Sequence, residues 1–406
     1  MTTEPGPGSA PPADLAAHGR RSTARWVPVG ALLLAVVAAG VLATPVLDAG
    51  RSERADPAAA RGPSGTASAS ASRGAAVTGA IWVANEDGGS LDVIDAASAE
   101  VVAAVRGIPG PHNVQVAPDG RSVWAVSGHD SLAVVLDATT LALRDAVPTG
   151  AAPAHVVVTP DGRRAYTSNG ADGTVTVIDT ATARAVGTIT VGAGAHGLRP
   201  SPDGRWVFVA NTSGSTVSVI DTRTGTAVAD VEVGRAPAQV AFSPDGRFVY
   251  VSVSAEDAVV KVDVATRQVV GRVLVGDGPI QTYVSPDNRY VLAANQGSQE
   301  RPGTTVSVID TATFTVARSV TTGAGPHGVV VDPSSRYAYV TNLYGDDVAV
   351  LDLAQLRVVA RIPVGDKPNG ISFSPFTVRP RPPVTVRLPQ HDGGSAGAHD
   401  HAGAGH

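Results

Sequence analysis

Cysteine is absent from the 406 residues of the sequence. Disulfides, thiolate metal sites, c-type haem attachment and lipoprotein anchoring through cysteine are therefore excluded. Aromatic residues make up only 4% of the chain, so we expect the hydrophobic core to consist mainly of Val, Ile, Ala and Leu. Lysine occurs only at Lys261 and Lys367, and no basic stripe with interleaved aromatics is present. Nucleic acid is therefore not an expected partner.

Sequence contexts of common catalytic sites are also missing. No Gly-x-Ser-x-Gly motif lies between a predicted strand and a predicted helix, where a nucleophile elbow would require it. No Gly-rich loop precedes a helix, as a phosphate-binding loop requires, and no helix of any length is evident after Leu47. The sequence thus assigns no catalytic residue and no cofactor-binding motif. It favours a function without catalysis and leaves enzymatic activity open.

One long apolar run lies near the N-terminus. Residues 26–47 carry no charge and are numerous enough to span a bilayer as a helix. Arginines precede this run, the last at Arg25, so residues 1–25 are predicted to stay in the cytoplasm. A cleaved signal peptide is the alternative, because residues 41–43 suit a signal peptidase. Both readings place the rest of the chain outside the cytoplasm, either membrane-anchored or secreted.

One low-complexity segment follows the apolar run, and another ends the chain. Residues 48–78 are rich in Ala, Ser, Gly and Pro and are predicted to be a disordered linker. Residues 377–406 are predicted to be a C-terminal tail rich in Gly and His. Such a tail could capture a transition-metal ion loosely, or its histidines could be incidental. The tail candidates are His391, His399, His401 and His406.

A repeat of about 42 residues occupies the region between these segments. An aspartate closes an apolar run in each of seven copies: Asp95, Asp137, Asp179, Asp221, Asp263, Asp310 and Asp352. Five extra residues lie between Asn295 and Asp310 and indicate a longer surface loop. Because the aspartates recur in every copy, we expect them to accept hydrogen bonds from turn N–H groups rather than to catalyse a reaction.

Each repeat contains four short runs of alternating or β-branched apolar residues, bounded by Gly, Pro, Asp or Asn. This pattern predicts four antiparallel strands per unit, with Pro-Asp-Gly turns between neighbouring strands. Seven such units predict an all-β, seven-bladed β-propeller over residues 79–376. The first unit lacks an inner strand, and "PNGISFSP" at residues 368–375 supplies one. We therefore expect the N- and C-terminal segments to pair in one blade and close the ring.

The repeat resembles a known family. "YVTN" at residues 339–342 and the phrases "PHG", "SPDG" and "VSVIDT" are similar to the YVTN-repeat, YncE-like β-propellers of surface-layer and exported proteins. The resemblance implies a seven-bladed propeller, often exported, whose members mostly lack an assigned reaction. Similar propellers include the copper-cluster domain of nitrous oxide reductase, haem d1 domains and bacterial lactonases.

Polar residues at the start of the inner strands are predicted to ring the mouth of the central channel. Ring closure makes the blades of His327, Asn369 and His112 neighbours, so these three residues form a contiguous polar arc. His196 lies two blades further on, whereas Ala238 and Ile280 make the opposite side apolar. Converging imidazoles could bind Cu or Zn, or an anion if protonated. Alternatively, each histidine serves the repeat by bonding the backbone of the next blade. The candidates are His112, His155, His196, His327 and Asn369.

The loops between second and third strands should open on the same face. They carry acidic residues that would attract cations, or that simply suit hairpin tips. These are Glu86, Asp87, Asp130, Asp172, Glu256, Asp257, Asp346 and Asp347, with His129 beside them.

From these observations we expect an extracytoplasmic, monomeric propeller that acts as a non-catalytic scaffold for a protein or polymer of the cell envelope. A metal-binding propeller that uses the channel histidines is the first alternative. A lactonase-type hydrolase is the second.

Overall fold

Runs of valine, isoleucine and threonine form antiparallel strands throughout residues 77–390, the part of the chain that the computed structural model describes. Four consecutive strands make one sheet in six blades, and the seventh sheet combines strands from both ends of the described chain. Inner strands of adjacent sheets contact each other around the ring. The predicted seven-bladed β-propeller is confirmed.

Blades 2 to 4 follow one another along the chain. Blade 2 contains β4 (Val114–Val116), β5 (Ser122–Ser127), β6 (Leu132–Asp137) and β7 (Leu143–Pro148). Blade 3 contains β8 (Pro153–Val158), β9 (Arg164–Asn169), β10 (Thr174–Asp179) and β11 (Arg184–Thr190). Blade 4 contains β12 (Ala195–Pro200), β13 (Trp206–Asn211), β14 (Thr216–Asp221) and β15 (Thr226–Glu232).

Blades 5 to 7 repeat this arrangement. Blade 5 contains β16 (Pro237–Phe242), β17 (Phe248–Val253), β18 (Ala258–Asp263) and β19 (Gln268–Leu274). Blade 6 contains β20 (Pro279–Val284), β21 (Tyr290–Gly297), β22 (Pro302–Asp310) and β23 (Thr315–Thr321). Blade 7 contains β24 (Pro326–Val331), β25 (Tyr337–Asn342), β26 (Asp347–Asp352) and β27 (Arg357–Pro363). A 3-10 helix, η1, covers Ser254–Glu256. The five extra residues extend β21 by two residues and β22 by three, so the hairpin is longer, whereas the joining loop at residues 298–301 has four residues as in the other blades. The longer surface loop predicted here is therefore a longer hairpin.

Blade 1 closes the ring. Its strand order is β28-β1-β2-β3-β29. The strands are β1 (Ala80–Asn85), β2 (Ser90–Asp95), β3 (Glu100–Arg106), β28 (Pro368–Ser374) and β29 (Val384–Thr385). As predicted, the C-terminal β28 supplies the inner strand and pairs antiparallel with β1.

The described chain continues in contact with blade 1 beyond residue 376, the predicted start of the tail. β29 pairs in parallel with β3 as an outermost fifth strand. Val378 and Val386 are buried in the cluster between blades 1 and 2. Residues 377–390 therefore pack on the propeller, whereas the tail histidines lie outside the described residues.

Turn chemistry repeats with the strands. Each aspartate at the end of a third strand accepts a hydrogen bond from a backbone N–H two or three residues later, as in the 2.8 Å bond from Ser98 to Asp95. These are the structural contacts that the sequence predicts for the seven aspartates. In the Pro-Asp-Gly turns, glycine adopts a positive φ of 70° at Gly204, a conformation in which a side chain would be strained.

The core lies between adjacent blades and consists largely of valine, alanine, leucine and isoleucine, as expected. The few aromatic residues nevertheless occupy its centre. They recur at one position of the second strand, where the side chains are almost fully buried: Trp82, Trp124, Tyr166, Phe208, Tyr250 and Tyr339. A low aromatic content is therefore compatible with one large ring in nearly every blade.

Within residues 77–390, no helix has the length and apolarity needed to cross a membrane. The predicted membrane segment at residues 26–47 lies outside this range.

Candidate functional site

The inner strands are irregular at the positions of the predicted channel residues. In six of the seven inner strands, two residues oppose one on the neighbouring strand, which is the pattern of a β-bulge. In blade 3 the two are Ala154 and His155, which lie opposite Ser168. A bulge bends the strand and re-aims its side chains. His155 therefore reaches the channel although it is one residue later in its repeat than His112 and His196.

Three histidines from consecutive blades converge at the start of the inner strands. The ring centroid of His112 lies 5.4 Å from that of His155 and 5.2 Å from that of His196, and the His155 and His196 rings are 4.8 Å apart. One nitrogen from each of the three rings lies within 4.8 Å of the other two. His112 and His196 are on blades 2 and 4, so their proximity means that both side chains extend across the channel.

Two of these rings are held by the backbone of the next blade. His112 Nδ1 is 3.2 Å from the carbonyl oxygen of Ala154, and His196 Nδ1 is 2.9 Å from that of Ala238. Because a carbonyl oxygen only accepts, Nδ1 must be the protonated donor in each ring. In the neutral tautomer the lone pair then lies on Nε2, where it is able to bind a cation.

His155 is fully buried, and neither of its ring nitrogens has a hydrogen-bond partner among the described residues. Burial lowers the pKa of His155 well below its usual value, and the nearby His196 and His112 lower it further. The ring is therefore neutral at physiological pH, with a lone pair available. An unpartnered buried polar group costs free energy, which a bound ligand would recover.

A second polar pair joins the arc from blades 7 and 1. His327 Nε2 donates to Asn369 Oδ1 over 2.8 Å, and Asn369 Nδ2 donates to Glu86 Oε2 over 2.8 Å. The His327 ring centroid lies 5.8 Å from that of His112. Burial, and then His112 and His196, lower the pKa of His327 well below its usual value. Its Nδ1 has no hydrogen-bond partner among the described residues.

The structure thus brings all five predicted channel residues to one side of the channel mouth. They come from five consecutive blades, 7, 1, 2, 3 and 4, and Ala238 and Ile280 occupy the equivalent position in blades 5 and 6. The alternative role of the histidines, hydrogen bonding to the backbone of the next blade, is also seen for His112 and His196. Structural bonding and ligand binding use different ring nitrogens and are compatible.

Several rim carboxylates hold neighbouring loops. Asp172 Oδ2 accepts from Ala151 N over 2.7 Å, and Asp257 Oδ1 accepts from Gly278 N over 2.8 Å. Asp346 Oδ1 likewise accepts from the backbone N–H of Lys367. These contacts support the hairpin-tip reading and give the carboxylates a structural role.

Two further residues of the channel were not singled out by the sequence analysis. Arg199 on β12 and Tyr283 on β20 occupy the same repeat position, three residues after His196 and Ile280. The signal was available in the sequence, since Arg199 replaces residues such as Val157 and Ala241 at that position.

Comparison with known proteins agrees with the fold. Residues 121–374 match the family of YNCE-like beta-propellers. The chain is therefore a β-propeller protein, and it belongs to the YNCE-like family. No curated protein sequence matches the chain.

Solved structures extend the likeness in fold. Hydrazine synthase of Kuenenia stuttgartiensis is 24% identical, with 66% of this chain and 90% of that chain covered and a TM-score of 0.60. A Bacteroides uniformis protein described as a candidate 6-phosphogluconolactonase is 21% identical, with 73% and 100% covered and a TM-score of 0.63. At these identities the comparisons support a shared fold only.

Proposed function

We propose that this propeller is a non-catalytic binding protein that holds one late transition-metal ion, Cu²⁺ or Zn²⁺, at the mouth of its channel. The observation that carries the proposal is the convergence of His112, His155 and His196 from three blades. Imidazole is a preferred ligand of copper and zinc, and three histidine ligands leave a coordination position for a further ligand.

The hydrogen bonds of the site suit this chemistry. Metal-binding histidines commonly donate the other ring N–H to a carbonyl or carboxylate, which fixes the tautomer. His112 and His196 make such bonds to Ala154 and Ala238. A Zn–N bond of about 2.0–2.1 Å places nitrogens of one tetrahedral site about 3.4 Å apart. The three nitrogens lie within 4.8 Å of one another, so binding requires them to move closer by up to about 1.4 Å.

Calorimetric titration of Cu²⁺ and Zn²⁺ into residues 76–389 tests the proposal, because this chain lacks the histidine tail. We expect about one ion per propeller and at least 100-fold weaker binding for His112→Ala, since loss of a direct ligand exceeds the roughly 10–100-fold cost of losing a second-shell group. Alanine occupies the same repeat position at Ala154 and Ala238, so the fold should tolerate the change.

His129→Ala is the matched control, because His129 is exposed on a rim loop. Its metal affinity should equal that of the unmodified chain. Equal affinity of the His112→Ala variant, or no heat beyond weak surface binding, would contradict a metal site in the channel.

The scaffold function is a second candidate, with an envelope protein or polymer as partner. Its support is the exposed valines on the outer strands of blades 3, 4, 5 and 7, at Val186, Val228, Val270 and Val359. The candidate lactonase activity has weaker support, because the seven inner strands carry no Asp or Glu to act as a base. Acid release from lactones would contradict a non-catalytic function.

We also propose that the propeller lies outside the cytoplasm, held by the apolar segment at residues 26–47. The full-length chain should then sediment with membranes and be degraded by protease added from the outside. A chain that begins at residue 76 should stay in the cytoplasm. Full-length protein in the cytoplasmic fraction would contradict this location, and a mature N-terminus near residue 44 would identify a cleaved signal peptide.

A further inference from the structure

Arg199 breaks the symmetry of the channel wall. It is the only Arg, Lys, Asp or Glu on the seven inner strands. The other six repeats place Gln115, Val157, Ala241, Tyr283, Val330 and Ser372 at its position. The fold therefore does not require a charge there, and a small or apolar side chain fills the position in neighbouring blades.

Arg199 lies on the inner strand of blade 4. Leu198, the residue before it, is buried in the cluster between blades 3 and 4, so the alternation of the strand places Arg199 on the opposite face. The equivalent residue of the adjacent inner strand is the small Ala241. Tyr283 is on the inner strand of blade 6, two blades away, so the electrostatic interaction between Arg199 and Tyr283 places both side chains toward the channel. Arg199 is close enough to His155 and Tyr283 to shift the pKa of both side chains.

The guanidinium of Arg199 has no ion pair and no side-chain hydrogen bond with any residue in 77–390. Burial lowers its pKa, although the side chain keeps partial contact with the channel space. The Tyr283 hydroxyl also has no described hydrogen-bond partner, and burial raises its pKa. A desolvated cation without a counter-ion is costly and uncommon in folded proteins. An anion that enters the channel would supply the missing charge.

We propose that the central channel binds a small oxyanion on the Arg199 guanidinium, with the Tyr283 hydroxyl as a second donor. A guanidinium binds carboxylate and phosphate oxygens through paired N–H groups, and a phenol O–H adds one further bond. The donors of this site are not the histidine nitrogens, and three residues of strand separate Arg199 from His196 by about 10 Å, although the Arg199 charge acts on the buried His155. It does not depend on metal binding.

Titration of inorganic phosphate and of acetate into the full-length chain, at constant ionic strength, tests the site. Arg199→Val is the matched variant, because valine occupies the same position in blades 3 and 7. We expect saturable heat with at least one of the two anions, and at least 30-fold weaker binding in Arg199→Val. Tyr283→Phe removes only the hydroxyl and should weaken binding by about 2- to 12-fold. Phosphate alone, acetate alone or both would each support the site and identify its ligand class.

Thermal unfolding gives a second readout. Without added anion, Arg199→Val should melt at the same or a higher temperature than the unmodified chain, because a desolvated charge is removed. Added anion should raise the melting temperature of the unmodified chain only. The proposal is overturned if neither anion binds the unmodified chain, or if the anion dependence of Arg199→Val is the same. Cu²⁺ or Zn²⁺ binding by Arg199→Val that is at least as tight as in the unmodified chain would show that the fold and the histidine cluster are intact, since removal of a nearby positive charge does not weaken cation binding.

Discussion

At the scale of single residues, the channel histidines differ in what their two ring nitrogens do. His112 and His196 donate Nδ1–H to the next blade, whereas His327 donates Nε2–H to Asn369. His155 has no hydrogen bond on either nitrogen among the described residues. One residue type therefore supplies two orientations of the lone pair within a few ångströms, and His155 is the least constrained of the four.

The buried, neutral state of His155 makes stability depend on pH. Its pKa is lowered in the folded chain, so below about pH 6.5 the unfolded chain binds a proton that the folded chain does not. Stability is then full above that pH and falls as the pH decreases, by about 1.4 kcal/mol per pH unit for one such group. We expect His155→Gln to remove that part of the loss between pH 6 and pH 5.

Urea denaturation with EDTA present would measure this difference. Glutamine is the matched substitution, because Gln239 and Gln281 are buried at the same repeat position. The exposed His129, changed to Gln, should leave the pH dependence unaltered. An identical pH dependence for His155→Gln and the unmodified chain would show that His155 is not the buried neutral group inferred here.

Residue identity explains which parts of the site the sequence could predict. The histidine column follows from the repeat, and ring closure places His327, Asn369 and His112 on neighbouring blades. The repeat does not reveal Arg199, because arginine occurs only once at that position of the repeat. Its missing counter-ion is a property of packing and becomes visible only in three dimensions.

At the scale of elements, the inner strand and its bulge set the geometry of the site. The apolar pattern predicts the strands, their turns and the pairing of β28 with β1. It does not predict the bulge, because the extra residue is identified only by its partners on the next strand. The sequence does not predict β29 either, because a strand of two residues is too short to show an alternating apolar pattern.

The segment after residue 376 should stabilise the closing blade. A chain of residues 76–376 loses the buried Val378 and Val386, and a chain of residues 76–390 keeps them. Burial of two valines contributes about 3–6 kcal/mol, an upper estimate because unfolded chains already bury some surface. We expect the shorter chain to lose free energy of unfolding by about this amount, measured by urea denaturation.

The longer chain is the control, since both lack the histidine tail. A difference well below about 1 kcal/mol would mean that β29 and its flanking residues lie on the blade without stabilising it. Such a result would support a propeller that ends near residue 376.

At the scale of the whole molecule, ring closure places the inner strands of all seven blades around one central channel. Seven copies of one unit would give a symmetric channel, but the four histidines and Asn369 come from blades 7, 1, 2, 3 and 4. Blades 5 and 6 contribute Ala238 and Ile280 at the mouth. The asymmetric arc predicts one ion per ring rather than seven equivalent weak sites. The repeat count and closure are readable from the sequence, whereas distances across the channel depend on how the blades pack.

The most direct test of the account is anomalous diffraction at the zinc edge from crystals of residues 76–389 grown with Zn²⁺. The account predicts one strong peak per propeller, about 2.0–2.1 Å from one nitrogen each of His112, His155 and His196. A channel without a peak, with zinc only on the outer surface, would contradict it.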